Sequence, residues 1–351
     1  MPMPHVMSDT PKRFLIVRLS SLGDLVHTIP AVAALRLSFP AARIDWVVDG
    51  RWSGLIDLVA GVDHVIQLRR SVAGQLACIR RLRSAHYDCA IDLQGRYRSA
   101  ALSWLSGAKQ RIGRDRQATR EPGAALFYTD RVIPTGRHIV DMNLDLVQRA
   151  GAERPALMQF PLRVPENQLR QGREKLSREG IDRYVLVSPG GGWKSKRWPA
   201  ERYGVLCEEL WRLHGLRAVV NVGPGEEDLA RSVVDSAGPS KPLVVRPSLP
   251  ELAALLTDAR LVIAADTGPL HLAAALGTRV VALFGATDPA RNGPIPHGVV
   301  VQNASFDPPA YMRGDHVRGD YNRAGGYSQA MLSLTVEQVL ATIEQEISIM
   351  A

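Results

Sequence analysis

Short, continuously apolar runs alternate with helix-spaced apolar runs from residue 14 onward. The first kind is FLIVRL (14–19), IDWVVD (44–49), HVIQL (64–68) and CAIDLQ (89–94). Runs apolar on both faces are expected of strands in a parallel sheet that is covered on both sides. The second kind includes AVAALRLSF, just after Pro30, and VAGQLACIRRLRSA (72–85). Proline is tolerated in a first helical turn, so a regular helix is predicted to begin near Pro30. Strand alternating with helix predicts a doubly wound α/β sheet.

The pattern breaks over 152–168, where Pro155, Pro161 and Pro165 mark the approach to a linker. It then restarts with YVLVSPGGG (184–192), RAVVNVGP (217–224), LVVRP (243–247), RLVIAAD (260–266) and RVVALFG (279–285). The predicted organisation is a Rossmann-like domain over 13–165 and a second over 166–334. A last helix, within 335–351, is expected to pack back on the first domain. Residues 303–330, rich in Gly, Asp, Arg and Tyr, read as a long irregular loop with no assigned role.

Composition narrows the function classes. A chain of 351 residues suits about two domains. Its 46% apolar and 22% charged content is that of a soluble globular enzyme. Lys and Arg outnumber Asp and Glu by 43 to 35, a net charge of +8 that favours an anionic partner: a phosphorylated substrate, an anionic lipid surface or a nucleic acid. No aromatic-basic RNA motif or helix-turn-helix signature supports the last of these. Cys78, Cys89 and Cys207 are too scattered for a disulfide framework or a zinc site, which suits a reducing compartment. The N-terminus has no long apolar stretch, and no run approaches the ~20 apolar residues of a membrane span. The expected location is cytoplasmic, with a membrane-surface role open.

Parallel sheets bind ligands at the carboxyl ends of their strands, so the motifs there carry most weight. In RLSSLGDLVHT, Asp24 follows the first strand, where a carboxylate can accept the proton of an attacking hydroxyl. The same Ser20, Ser21 and Asp24 also suit plain helix capping. In SPGGGWKSKRWP (188–199), a glycine run lets backbone amides approach a phosphate, and Lys194, Lys196 and Arg197 can neutralise a diphosphate. The first strand-to-helix turn has no GxGxxG, which argues against an ordinary dinucleotide dehydrogenase. In AADTGPLHLAAALG (264–277), Asp266, Thr267 and Gly268 sit at a strand-to-helix junction with His271 one turn on, suited either to a nucleotide diphosphate or to capping and packing. In VGPGEED (222–228), Glu226 or Glu227 can accept from a ribose, or simply begin a helix.

Together with FGATDP (284–289), these motifs resemble glycosyltransferase family nine, the ADP-heptose:lipopolysaccharide heptosyltransferases. The resemblance runs from Phe14 to about Pro294. IDWVVDGRW, AIDLQGRYRSA and TREPGAALFY look most like the heptosyltransferase I branch, which adds the first heptose to Kdo. The resemblance implies a GT-B fold: two Rossmann-like domains whose parallel sheets face a central cleft, acceptor on the first and nucleotide sugar on the second. It implies an inverting transfer from ADP-heptose to a Kdo residue of Kdo-lipid A. Asp24 matches the general base and Lys196 the diphosphate-binding lysine. Asp266, Thr267, Gly268 and His271 match the donor loop, and Glu226 falls near the ribose contact. Gly191 and Gly192 replace a threonine-containing version, so amides would have to replace hydroxyls there.

Ser21, Gly23, Arg69, Arg70, Arg81 and Arg120 are the expected acceptor contacts, with Arg80 and Arg83 adding positive charge. Arginine suits the carboxylates and phosphates of such an acceptor. No Asp-x-Asp occurs, so neither metal nor other cofactor is called for, ADP-heptose being a substrate. The implied partners are a nucleotide sugar and an anionic lipid-linked sugar, with peripheral contact at the inner face of the cytoplasmic membrane and no nucleic acid. The competing readings are a family member using another sugar or the second-heptose acceptor, and a non-catalytic polyanion binder.

Overall fold

The computed structural model describes residues 12–285, 287–302 and 326–350. Most of the unassigned 303–330 segment therefore lies outside the described residues, as does Ala286 of FGATDP. The described residues form two six-stranded parallel sheets. The first contains β1 (Arg13–Val17), β2 (Arg43–Asp49), β3 (His64–Leu68), β4 (Cys89–Asp92), β5 (Gln110–Arg114) and β6 (Asp130–Val132), in the order β3-β2-β1-β4-β5-β6. The second contains β7 (Tyr184–Ser188), β8 (Arg217–Asn221), β9 (Leu243–Val245), β10 (Leu261–Ala265), β11 (Val280–Phe284) and β12 (Val299–Gln302), in the order β12-β11-β10-β7-β8-β9.

Counted from its own first strand, each sheet has the doubly wound order 3-2-1-4-5-6. In that order the topological switch lies between the first and fourth strands, and ligands bind outside the strand ends there. The switch points are β1/β4 in one sheet and β7/β10 in the other. The four strands that flank them are the ones whose apolar runs were plainest in the sequence. Their interiors are sealed: Leu15, Ala90, Val185 and Ile263 all have no exposed surface. β5, β6 and β12 were not anticipated. The β5 sequence QRIGR offers one large apolar side chain, and β6 and β12 are short edge strands with mostly half-buried residues.

The chain divides into two compact units. One comprises residues 1–20, 28–136 and 140–161, the other Ser21–His27, Arg137–Ile139 and Leu162–Ala351. Two short pieces from the first half of the sequence thus pack within the second unit, which no hydrophobic pattern announced. The last helix, Val336–Met350, packs within the second unit. Its Val339 and Ile343, one turn apart, are fully buried with Val185, Val220, Ile263 and Leu283, and Arg279 pairs with its Glu346 at 3.1 Å. A helix with that apolar stripe covers the nearest uncovered sheet face.

Candidate transferase site

In the first unit the strand ends enclose a polar pocket of about 670 Å³. Leu19 and Ser20 follow β1, Asp49 ends β2 and Arg51 follows it, Arg70 follows β3, and Gln94, Arg96, Tyr97 and Arg98 follow β4. The wall after β4 is held from beneath by Asp92. Its fully buried carboxylate accepts from Tyr128 Oη (2.7 Å) and from the amides of Gln94 (2.9 Å) and Gly95 (3.1 Å). Burial raises its pKa, against those hydrogen bonds. Gly95 turns with φ +70°, and its carbonyl accepts from Thr119 Oγ1 at 2.6 Å. Gln94 Oε1 accepts from the Leu19 amide at 2.7 Å, which ties the β1 and β4 ends together. At the end of β2, Asp49 takes two side-chain hydrogen bonds from Arg51, at 3.0 and 3.1 Å.

Of the arginines expected at an acceptor, Arg70 lines this pocket and Arg69, Arg81 and Arg120 do not. Arg80, Arg81 and Arg83 sit late in the helix Val72–Ser84. A helix after a parallel strand runs back toward the N-terminal ends of the strands, and at about 1.5 Å per residue its later residues move away from the carboxyl-end tips. Arg51, Arg96 and Arg98 line the pocket beside Arg70. All three lie within a few residues of a strand end, the signal that could have found them.

In the second unit, β10 ends at Ala265 and delivers Asp266 into a nearly sealed position, with its side chain 8% exposed. Asp266 Oδ2 accepts from Lys196 Nζ at 2.6 Å, and Oδ1 is bonded to His271 Nε2 at 3.0 Å. Burial alone would raise its pKa. Lys196 and His271 outweigh burial and hold the carboxyl far below the usual carboxylate range. Thr267 stands at the N-terminus of the helix Gly268–Ala275, whose first amides have no partner within the helix. Thr267 Oγ1 and His271 Nδ1 are buried with no hydrogen-bond partner among the described residues.

The loop after β7 is organised differently from the expectation. The Gly191 amide donates to Glu226 Oε1 (3.2 Å), and the Gly191 carbonyl accepts from Arg197 Nε (2.9 Å) and Nη2 (2.6 Å). Glu226 also accepts from the Gly223 amide at 2.8 Å. Its carboxylate therefore splices the loops after β7 and β8, and the Gly191 amide is committed to it. Gly192 is exposed, with open space where a side chain would be.

The helix Leu22–Val26 carries Asp24 in this same unit. Asp24 Oδ2 accepts from the Ser21 amide (3.1 Å) and Ser21 Oγ (2.9 Å), so the carboxylate caps its own helix as the plain reading had it. Gly23 lets this helix approach closely: a Cβ there would stand 2.8 Å from His271 Cδ2, and one at Gly268 would stand 2.6 Å from Leu22. The structure thus brings Ser21, Gly23, Asp24, Lys196, Asp266, Thr267, Gly268 and His271 into one unit. Next to them are His27 and His138, neither singled out from sequence. The His27 ring lies 4.3 Å from that of His271 and 5.6 Å from that of His138.

The sequence profile of glycosyltransferase family 9 (heptosyltransferase) matches residues 75–310. The chain belongs to that family. Lipopolysaccharide heptosyltransferase 1 of Pseudomonas aeruginosa is 32% identical to this family-nine chain over 304 residues, 80% of this chain and 81% of the relative. The protein of the same name from Escherichia coli K12 is 29% identical over 290 residues, 79% and 89% of the two chains. Among solved structures, the E. coli heptosyltransferase WaaC with ADP matches with a TM-score of 0.74 at 26% identity, covering 95% of this chain and 99% of that one. The family-nine chain is thus a glycosyltransferase of GT-B type, as its motifs implied.

Proposed function

We propose that this transferase moves a heptosyl group from ADP-L-glycero-D-manno-heptose to a Kdo residue of Kdo-lipid A, with inversion at the anomeric carbon. In the step proposed, the acceptor oxygen bonds to that carbon as its bond to the diphosphate breaks. The acceptor proton passes to Asp24 and ADP departs. Lys196 and the first amides of the helix Gly268–Ala275 meet the charge that grows on the departing diphosphate. The observation that carries this reading is the orphaned Thr267 Oγ1. It is a buried hydroxyl beside Lys196–Asp266 and a helix N-terminus, where a polar atom needs a partner that none of the described residues supplies.

The acceptor is assigned to the pocket of Arg51, Arg70, Arg96 and Arg98, whose guanidiniums suit a sugar carboxylate. Four relatives carry the name lipopolysaccharide heptosyltransferase 1, which favours the first-heptose acceptor. No described helix is long and apolar enough to cross a membrane. A lipid-anchored acceptor would instead hold the enzyme at the inner face of the cytoplasmic membrane. The test is incubation with ADP-heptose and Kdo-lipid A, followed by NMR of the new linkage. A heptosyl residue linked to Kdo, with its anomeric configuration inverted from that of the donor, is expected. Retained configuration, or product only with an acceptor already carrying heptose, would overturn the assignment.

A further inference from the structure

Three histidines of the second unit, His27, His138 and His271, form a continuous buried group in which the proposed reaction gives His27 and His138 no role. His271 is 3% exposed, His27 5% and His138 9%. His27 stands between the other two, tilted 59° to the His271 ring and nearly edge-on to His138 at 84°. Both neighbours are anchored away from His27: His271 Nε2 on Asp266 Oδ1, and His138 Nε2 on the Gly293 carbonyl at 3.1 Å. The central ring therefore rests against two rings that are themselves fixed.

His27 also follows Asp24 by three residues, one turn later on the same stretch of chain, and it closes the helix Leu22–Val26. That helix has only five residues and cannot hold its own orientation. Its place is set by what it touches: Gly23 against His271, Leu22 against Gly268, and His27 in the imidazole stack. Burial first, then the adjacent His271 and His138, push the His27 pKa well below the ordinary histidine value. Asp24 and Asp266 pull the other way and do not prevail. A neutral ring can sit in that stack, whereas a charged one would repel its neighbours if they became protonated and would lose its hydration.

We propose that His27 is a positioning residue of the transfer reaction: a neutral wedge between His271 and His138 that fixes Asp24 relative to the donor loop. This rests on Asp24 being the base. His27 touches neither substrate in this account and acts only through Asp24.

The test is a double-mutant cycle with a fold control, read in turnover of ADP-heptose and Kdo-lipid A and in ADP affinity by calorimetry. His27→Ala should lower kcat by tenfold or more while ADP affinity stays within twofold. His27→Phe, which keeps a neutral ring of similar breadth, should recover most of that loss. Added to Asp24→Asn, His27→Ala should cost less than twofold further, because the group it positions is already disabled. A merely structural role would multiply through in the double variant and weaken ADP binding with it. Those outcomes, or a His27→Ala enzyme within twofold of wild type, overturn the proposal. If Asp24→Asn alone retains turnover, the base assignment is what has failed, and the wedge loses its purpose with it. Melting temperatures of all variants separate a repositioned site from an unfolded one.

Discussion

Asp266 is a nearly sealed carboxylate that stays ionised because Lys196 lies 2.6 Å away and His271 3.0 Å away. Removing one partner of such a pair typically costs ~3–5 kcal/mol, since the charge left behind is buried without compensation. Lys196→Ala should therefore lower the melting temperature clearly and also weaken ADP binding. An unchanged melting curve together with an unchanged ADP titration would show that this pair anchors neither the fold nor the donor. His27 is instead a buried group kept neutral, though its pKa is shifted in the same direction. Its folded pKa is depressed, so below the unfolded value near 6.5 the unfolded chain binds the extra proton and stability falls as pH drops. Between pH 7 and pH 5 the wild type should lose stability by up to about 1.4 kcal/mol per pH unit from this group. The His27→Phe variant should show a shallower decline, and parallel melting profiles would contradict the buried-neutral assignment. Asp24, Lys196 and Asp266 could be singled out in the sequence because each lies in a motif that follows a strand. His27 and His138 could not, because only the fold brings them to His271, and a lone histidine on an apolar stretch looks like packing.

At the scale of elements, the strands flanking both switch points were readable because full burial demands an unbroken apolar run. β5, β6 and β12 escaped because pairing through the backbone needs no such run. The docking of the five-residue helix Leu22–Val26 was invisible for a related reason: its seat depends on two glycines making room, not on a pattern of its own. Gly23→Ala should therefore displace the helix, since the new methyl meets His271 at 2.8 Å and overpacking of that kind typically costs ~1–3 kcal/mol. Turnover should fall at least tenfold, with a lower melting temperature. Gly192→Ala, where the methyl enters open space, should leave stability unchanged. Equal behaviour of the two variants would remove close approach as the reason for Gly23.

For the whole molecule, one doubly wound sheet repeats with the same strand order, and each copy uses its switch point differently. The first surrounds a polar pocket with four arginines, and the second packs Lys196, Asp266 and a helix N-terminus. The basic surplus in the sequence suits an anionic partner without saying which arginines would meet it. The fold sorts them, because only those near strand ends reach the pocket. Arg96→Ala and Arg98→Ala should each raise the acceptor KM roughly tenfold or more, the scale of a lost charge-assisted hydrogen bond, while the ADP-heptose KM stays near wild type. Arg81→Ala should change neither constant. A two-substrate kinetic comparison checks this, and a large acceptor effect from Arg81→Ala would relocate the site. The account as a whole turns on Asp24, a residue from the first half of the sequence that packs in the second unit with the donor loop. The most direct test is turnover of Asp24→Asn beside its ADP affinity. The amide can still cap the helix but cannot take the acceptor proton, so kcat should fall ~10²–10⁴-fold with ADP binding within twofold of wild type. A loss of less than about tenfold would contradict the assignment of Asp24 as the base.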